Sequence, residues 1–273
     1  MPTPRISVIM PVFNTAAYLG EAINSILSQT LSDFEFIIIN DGSTDSSEEV
    51  IKGFHDPRIF YLKNEKNMGL VYSLNRGIDT ACGEWIARMD GDDISLPDRF
   101  AEQMLYLALH PNVDALACRV QLIDEMGNES DNWRDDMAAV TPEQILDHLP
   151  VNNCIGHPTI MIRTDVLTTY RYLPEQAQAE DYDLWLRLAS TGKVIHKLDH
   201  ILLKHRIIKT SFTRSRQHNV YAKLAETKFR FLSYARKNKI KGSFVRKVYI
   251  NACVDKVLSW LKPLKKGTWV IGY

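Results

Sequence analysis

The chain has 273 residues, 45% hydrophobic and 24% charged, which fits a globular protein with a sizeable core and excludes a fibrous or low-complexity chain. Its 33 basic and 33 acidic residues cancel, but residues 214–266 hold 15 Lys/Arg against only Glu226 and Asp255, leaving 18 basic and 31 acidic residues for 1–213. That split excludes one uniform domain and predicts that the basic C-terminal stretch faces something anionic.

In chain order, Ile6–Met10 reads as a strand that stops at Pro11, and Tyr18, Leu19, Ala22, Ile23, Ile26 and Leu27 recur at helical spacing. Phe34–Ile39 is apolar on both faces apart from Glu35, as a covered central strand should be. Ser43–Phe54 predicts a helix, Ile59–Leu62 a third strand, Gly69–Ala81 a helix and Trp85–Met89 a fourth strand. A helix then opens near Pro97 and runs towards Leu109. After an apolar run over Val113–Leu122, the polar stretch Asp124–Asp136 predicts a loop. His157–Ile162 predicts a strand, Tyr182–Ala189 a helix and Ile201–Ile207 another strand. Beyond Gln217 come two amphipathic helices parted by Gly242; the second has Val245, Val248, Ala252 and Leu258 on one face. Such strand–helix alternation points to an α/β fold with a mostly parallel sheet flanked by helices, followed by a helical extension.

Cys82, Cys118, Cys154 and Cys253 lie 36, 36 and 99 residues apart, so no Cys-x-x-Cys zinc or dithiol motif exists, and they read as buried thiols. The N-terminus does not read as a secretory leader, and no run approaches the roughly 20 apolar residues of a membrane span. Together these predict a cytoplasmic protein whose membrane contact, at the inner face, is peripheral.

In open α/β sheets ligands bind beyond the carboxyl ends of the strands. Three strands end here in polar clusters: Pro11-Val12-Phe13-Asn14, Asn40-Asp41-Gly42-Ser43-Thr44-Asp45 and Asp90-Gly91-Asp92-Asp93. No Gly-x-Gly-x-x-Gly follows the first strand and no Walker sequence occurs, which argues against dinucleotide enzymes and P-loop NTPases. Carboxylates suit Mg²⁺ or Mn²⁺, so Asp90, Asp92 and Asp93 suggest a metal; the alternative is a solvated turn in which Asp93 caps a helix. A calcium EF-hand fails because Ser95 and Ala101 stand where glycine and glutamate are needed. Asp41 either accepts a hydrogen bond from a nucleobase or ribose, or supports the turn at Gly42. Glu180-Asp181 opens a helix, where capping accounts for one acid and leaves the other as a general base. His157 is either a satisfied strand-end residue or a contact to acceptor or phosphate. Arg206 and Lys209, near Thr210-Ser211, face either a diphosphate or the surface. Trp85, Trp185 and Tyr182 read as core rather than sugar platform.

Taken together, Ser7–Asn14, Ile39–Asp45, Asn67-Met68-Gly69 with Leu74–Gly77, Gly83–Asp93, His157-Pro158-Thr159 and Glu180–Arg187 resemble the family 2 glycosyltransferases, inverting enzymes of GT-A fold, over roughly residues 5–212. The resemblance implies a GT-A catalytic domain over 1–213, with a nucleotide-sugar half (1–110) and an acceptor half (111–213), and a basic helical extension over 214–273. It implies that Pro11, Val12, Phe13 and Asp41 hold the nucleobase of a UDP-sugar donor, and that Asn67 and Arg76 lie near base or diphosphate. Asp90 would face the ribose or the metal shell, and Asp92 would ligate Mn²⁺ or Mg²⁺. Asp181 would deprotonate the acceptor hydroxyl, with Glu180 beside it as second candidate, and His157, His205 and Arg206 would lie on the acceptor or diphosphate side. Relatives carry a histidine two residues after an arginine near Leu203–Ile207; here Ile208 takes that place, so either His205 substitutes or Asp92 and the diphosphate hold the metal alone. The implied acceptor is a glycan or lipid-linked molecule in surface polysaccharide or glycolipid synthesis. A nucleotidyltransferase, or a non-catalytic nucleotide-sugar binding module, is the rival reading.

The basic extension, with Trp260 and Trp269, predicts an anionic membrane surface as partner. No stacking aromatics alternate with its basic residues, so nucleic acid is not expected. The alternative is that it packs on the acidic body and neutralises it.

Overall fold

A computed structural model describes residues 3–208 and 219–261. Lys209, Thr210, Ser211 and Trp269, and the boundary at 213/214, lie outside the described residues. The elements are β1 (Ile6–Val12), α1 (Ala16–Leu27), β2 (Phe34–Asn40), α2 (Ser47–Lys52), β3 (Ile59–Lys63), α3 (Leu70–Thr80), β4 (Trp85–Arg88), β5 (Ile94–Ser95) and α4 (Arg99–Leu109). They continue with β6 (Ala115–Ile123), α5 (Arg134–Ala138), α6 (Pro142–His148), β7 (Met161–Arg163), α7 (Thr164–Tyr170), α8 (Glu180–Ser190), β8 (Ile195–Arg206), α9 (Val220–Lys237) and α10 (Ser243–Leu261).

The strands form one sheet in the order β3-β2-β1-β4-β7-β6-β8-β5. The first four pair in parallel, in the arrangement that βαβ crossovers produce. β7 enters antiparallel between β4 and β6, so the second half of the sheet is mixed. Alternation along the strands fills two cores. Ile9, Ile37, Ile39 and Ile86 pack under α3, α8, α9 and α10 through Leu74, Leu184, Trp185, Phe231 and Val248. Val8, Met10, Phe36 and Ile38 face α1 and α4 through Leu19, Ile23, Phe100 and Met104. Trp85, Tyr182 and Trp185 are buried, as expected of core residues.

Four elements depart from the sequence expectation, the first being β8, which begins at Ile195 rather than Ile201. Residues 157–162 are not one strand: His157–Thr159 is a 3₁₀ turn, in which Thr159 returns both its N–H and its Oγ1 hydroxyl to the Gly156 carbonyl, and β7 begins only at Met161. α2 starts at Ser47, because Ser43 and Thr44 are bonded to Asn14 in the loop after β1 and Asp45 to Ala16 at the start of α1. The stretch expected to be loop from Asp124 already contains the start of α5. Of the cysteines, Cys118 and Cys154 are buried but Cys82 is exposed.

Candidate active site

The register aligns Val12 with Asn40 and Asn40 with Lys63, so the loops after β1, β2 and β3 leave the sheet from one edge. Asn14, at φ 54°, accepts the Thr44 N–H at 2.8 Å and donates its own N–H to Ser43 Oγ at 3.1 Å, tying the first two loops together. Gly42 has φ 69°, and a side chain there would collide with the backbone of Lys66 and Asn67, so glycine lets the third loop close on the second. Asp41 is buried, and its carboxylate accepts from Asn64 Nδ2 (2.6 Å), Met68 N (2.9 Å) and Gly69 N (2.9 Å). These bonds hold the turn after Gly42 and fix the Asp41 carboxylate at the edge of the sheet. Asn67 Oδ1 accepts the Gly69 N–H at 2.9 Å, and Arg76 donates to the Lys63 carbonyl (2.8 Å) and to Asn64 Oδ1. Asp41, Asn67 and Arg76 thus share one network, with Asn64 at its centre, and Phe13, just past the end of β1, is exposed.

The acidic cluster follows β4. Arg88, buried at the end of that strand, pairs with Asp90. Asp93 caps no helix, since α4 begins after Asp98. It is buried, and its two oxygens meet His205 Nδ1 (2.9 Å) and the Arg206 N–H (2.8 Å) at the end of β8. Asp90, Asp93 and His205 place ligand atoms within 4.8 Å of one another, so β8 brings His205 into the cluster. Asp92 stands outside that trio: its carboxylate has neither hydrogen bond nor ion pair among the described residues, while its carbonyl accepts from Arg206 Nε at 2.9 Å. Burial, then the charges of Asp93 and Asp90, push the Asp92 carboxyl up to about 7. Burial likewise raises Asp90, against the pull of Arg88. At His205 burial opposes the charged form, but Asp93, Asp90 and Asp92 together outweigh it and raise the imidazole to about 9. Three carboxylates therefore face two cations, and the donor set is hard oxygen with one imidazole, which fits Mg²⁺ or Mn²⁺. Arg206 is not a surface residue. Its guanidinium is buried over the Tyr18 ring and bonded to Glu21 Oε2 (2.6 Å), so it braces the cluster.

The acid pair lies at the start of α8. Asp181 accepts from Asn153 Nδ2 at 2.9 Å and from the Tyr182 N–H at 2.7 Å, and Glu180 accepts the Gln178 N–H at 2.8 Å. Burial raises the Asp181 carboxyl above its usual range, and the Tyr182 amide, Arg88 and Asn153 pull against it. Burial and then the Asp181 charge raise Glu180 to about 7. His157 is buried, bonded through Nε2 to Tyr172 Oη at 2.8 Å, and held well below its ordinary pKa by burial and by Arg88. Its imidazole is therefore neutral, with Nε2 paired to Tyr172.

Residues 7–169 match the family model described as Glycosyl transferase family 2. The chain belongs to glycosyltransferase family 2. The O-antigen biosynthesis glycosyltransferase WbnJ of Escherichia coli is 35% identical over 215 residues, 77% of this chain and 82% of that protein. Among solved structures, S. aureus TarS in complex with UDP-GlcNAc superposes with a TM-score of 0.68 at 20% identity, covering 90% of this chain and 73% of that one. The mannosyltransferase PcManGT of Pyrobaculum calidifontis, in complex with GDP-Man and Mn²⁺, gives 0.64 at 16% identity, covering 97% and 76%. The fold is GT-A.

In this glycosyltransferase the sequence reading left out four residues that the structure brings to the site. Arg88 stands in an otherwise apolar strand, and a lone charge in a buried strand is a usable signal. Its guanidinium, bonded to Asp90, also lowers the pKa of Asp181 and Glu180, so one buried cation serves both acidic groups. Asn153, Asn64 and Tyr172 sit in polar or irregular segments, and only their partners reveal them.

Proposed function

We propose that the chain transfers a sugar from a UDP-sugar to a hydroxyl of a glycan or lipid-linked acceptor, with inversion, in a metal-dependent reaction of envelope polysaccharide synthesis. The observation that carries it is Arg88, which couples the acidic cluster after β4 to the acid pair opening α8. The complexes of the two fold neighbours with UDP-GlcNAc and with GDP-Man and Mn²⁺, and the O-antigen role in the name of the E. coli relative, support donor class, metal and pathway type.

In this reading Pro11, Val12, Phe13, Asp41, Asn67 and Arg76 form the nucleoside end. The Asp92 carboxylate, which makes no ion pair among the described residues, is the principal metal ligand, with Asp90 and His205 beside it and Asp93 fixing the imidazole. When bound, Mn²⁺ or Mg²⁺ offsets the negative charge that develops on the departing diphosphate. Asp181 takes the proton of the acceptor hydroxyl, whose oxygen attacks the anomeric carbon on the face opposite the diphosphate. Asn153 holds the Asp181 carboxylate in place through one oxygen. Glu180 is turned to its own loop through the Gln178 N–H, and the Asp181 charge helps to raise its carboxyl.

The test is a screen of UDP-sugars with oligosaccharide and lipid-diphosphate acceptors. UDP release that requires an acceptor, with a product of inverted anomeric configuration by NMR, is expected. Pyrophosphate release from UTP and a sugar phosphate would overturn it in favour of nucleotidyl transfer.

A further inference from the structure

We propose that the outward face of α10 is a membrane-docking surface that lies in the headgroup zone of an anionic bilayer. α10 buries Val248, Ala252 and Asp255. At 100° per residue, the opposite side of the helix carries Ile250, Val254, Val257 and Leu261, flanked by Tyr249 and Trp260. All six are exposed, from 48% at Val254 to 70% at Trp260 and Leu261. The one acid of the helix, Asp255, points inward to Lys228. A helix that shows water a row of aliphatic and aromatic side chains is the reverse of an ordinary surface helix, and such patches mark interaction sites.

Charge decides what covers it. Residues 220–261 carry ten Lys/Arg against Glu226 and Asp255, and these two acids are bound to Arg230 and Lys228. Arg236, Lys237, Lys239, Lys241 and Arg246 are exposed without an ion-pair partner among the described residues. A second copy meeting this face with its own hairpin would bring ten more Lys/Arg and, among the described residues, only the two acids already bound, so it offers no free counter-charge. Anionic lipid offers them counter-charge while its acyl boundary takes the aliphatic row, and tryptophan favours the interface. No described helix is long and apolar enough to cross a membrane, so α10 would lie in the plane of the surface.

Neutralising the acidic body does not account for these cations. Among the described residues one ion pair joins the hairpin of α9 and α10 to the rest of the chain, Lys247 to Asp147 at 2.7 Å. Lys228 Nζ also donates to the Val151 carbonyl at 2.7 Å, and Arg230 to the Glu175 carbonyl. These bonds fix the hairpin beside the segment that supplies Asn153 to Asp181. Docking through α10 would thus hold the acceptor side close to the bilayer.

The experiment uses the full chain with vesicles rich in phosphatidylglycerol or made of phosphatidylcholine alone, without donor, acceptor or metal, so its failure leaves the transfer reading standing. Salt-sensitive co-sedimentation with the anionic vesicles, and quenching of tryptophan fluorescence by brominated phosphatidylglycerol, are expected. Ile250→Glu/Val257→Glu, both at exposed positions, should retain the circular dichroism spectrum and weaken vesicle binding at least about tenfold. The inference is overturned by absent binding at low salt, by a double variant that binds as the parent does, or by a lipid-free dimer that the double variant splits. Quenching of the parent protein needs no variant, so a double variant that misfolds leaves the test intact.

Discussion

Asn153 donates from Nδ2 to Asp181 Oδ2 at 2.9 Å, while Asp181 Oδ1 accepts the Tyr182 amide at 2.7 Å. Both oxygens of the carboxylate read as catalytic base are thereby aimed by the protein, one by its own helix and one by a loop residue 28 positions earlier. Asp181→Asn removes the acceptor of the proton and should lower kcat by roughly 10²–10⁴ with donor binding unchanged, measured by calorimetry with UDP. Full activity of that variant would move the base to Glu180.

The pH dependence follows from the same pair. A base works only when ionised, and burial raises the Asp181 carboxyl. The acidic limb of kcat/KM should therefore lie above the usual carboxylate range near pH 4. Asn153→Leu, which removes a donor to the ionised form, should move that limb to still higher pH. A limb unmoved by this change would show that Asn153 does not face the ionised base.

Glu180 bears on stability with the opposite sign to an ion-paired acid. Its folded-state pKa, about 7, exceeds that of an unfolded glutamate. Below the unfolded value both states are protonated and nothing is lost. As pH rises through the window between the two values, ionisation disfavours the folded state, and above about 7 the whole cost is present. Glu180→Gln should therefore stabilise the folded state at pH 8 by an amount on the order of 1–3 kcal/mol, read as a higher Tm, and leave Tm at pH 4 nearly unchanged. Equal effects at the two pH values would refute the assignment.

At the acidic cluster, Asp92→Asn should abolish the Mn²⁺ dependence of UDP binding, because the carboxylate removed is the one of the three that makes no ion pair among the described residues. Asp93→Asn should weaken metal affinity about 10- to 100-fold by loosening the His205 ring. The reverse ranking would make Asp93 the ligand and Asp92 its support.

The sequence foretold the strands of the first half because Ile6–Met10 and Phe34–Ile39 are apolar runs bounded by polar turns, and burial in a covered sheet demands that pattern. The second half was harder to read. α6 is opened by a capping box, with the Gln144 amide on Thr141 Oγ1 at 3.3 Å and the Thr141 amide on Gln144 Oε1 at 3.0 Å, a signature present in Thr141-Pro142-Glu143-Gln144 but easily passed over in a polar stretch. Asp92 and Asp93 are chemically identical neighbours, and only β8, arriving from more than a hundred residues away, tells them apart. Asn153 carries no local signal, since its role depends wholly on where α8 begins.

Lys228 tests whether the C-terminal hairpin serves the acid pair or merely covers the core. Its fully buried ammonium lies between Asp255 Oδ2 at 2.6 Å and the Val151 carbonyl at 2.7 Å, two residues before Asn153. Lys228→Met alone strands the Asp255 carboxylate and should cost about 3–5 kcal/mol, so lost activity there would say nothing about positioning. Lys228→Met/Asp255→Leu replaces both charges by apolar groups of similar volume, which is often close to neutral for stability. The double variant should thus keep a Tm near that of the parent while losing the bond to Val151. If that bond sets the 151–153 segment, kcat should fall several-fold, the KM for the donor should stay unchanged, and the acidic limb of the pH profile should rise as for Asn153→Leu. A double variant with parental stability, kcat and pH profile would leave Lys228 as packing only.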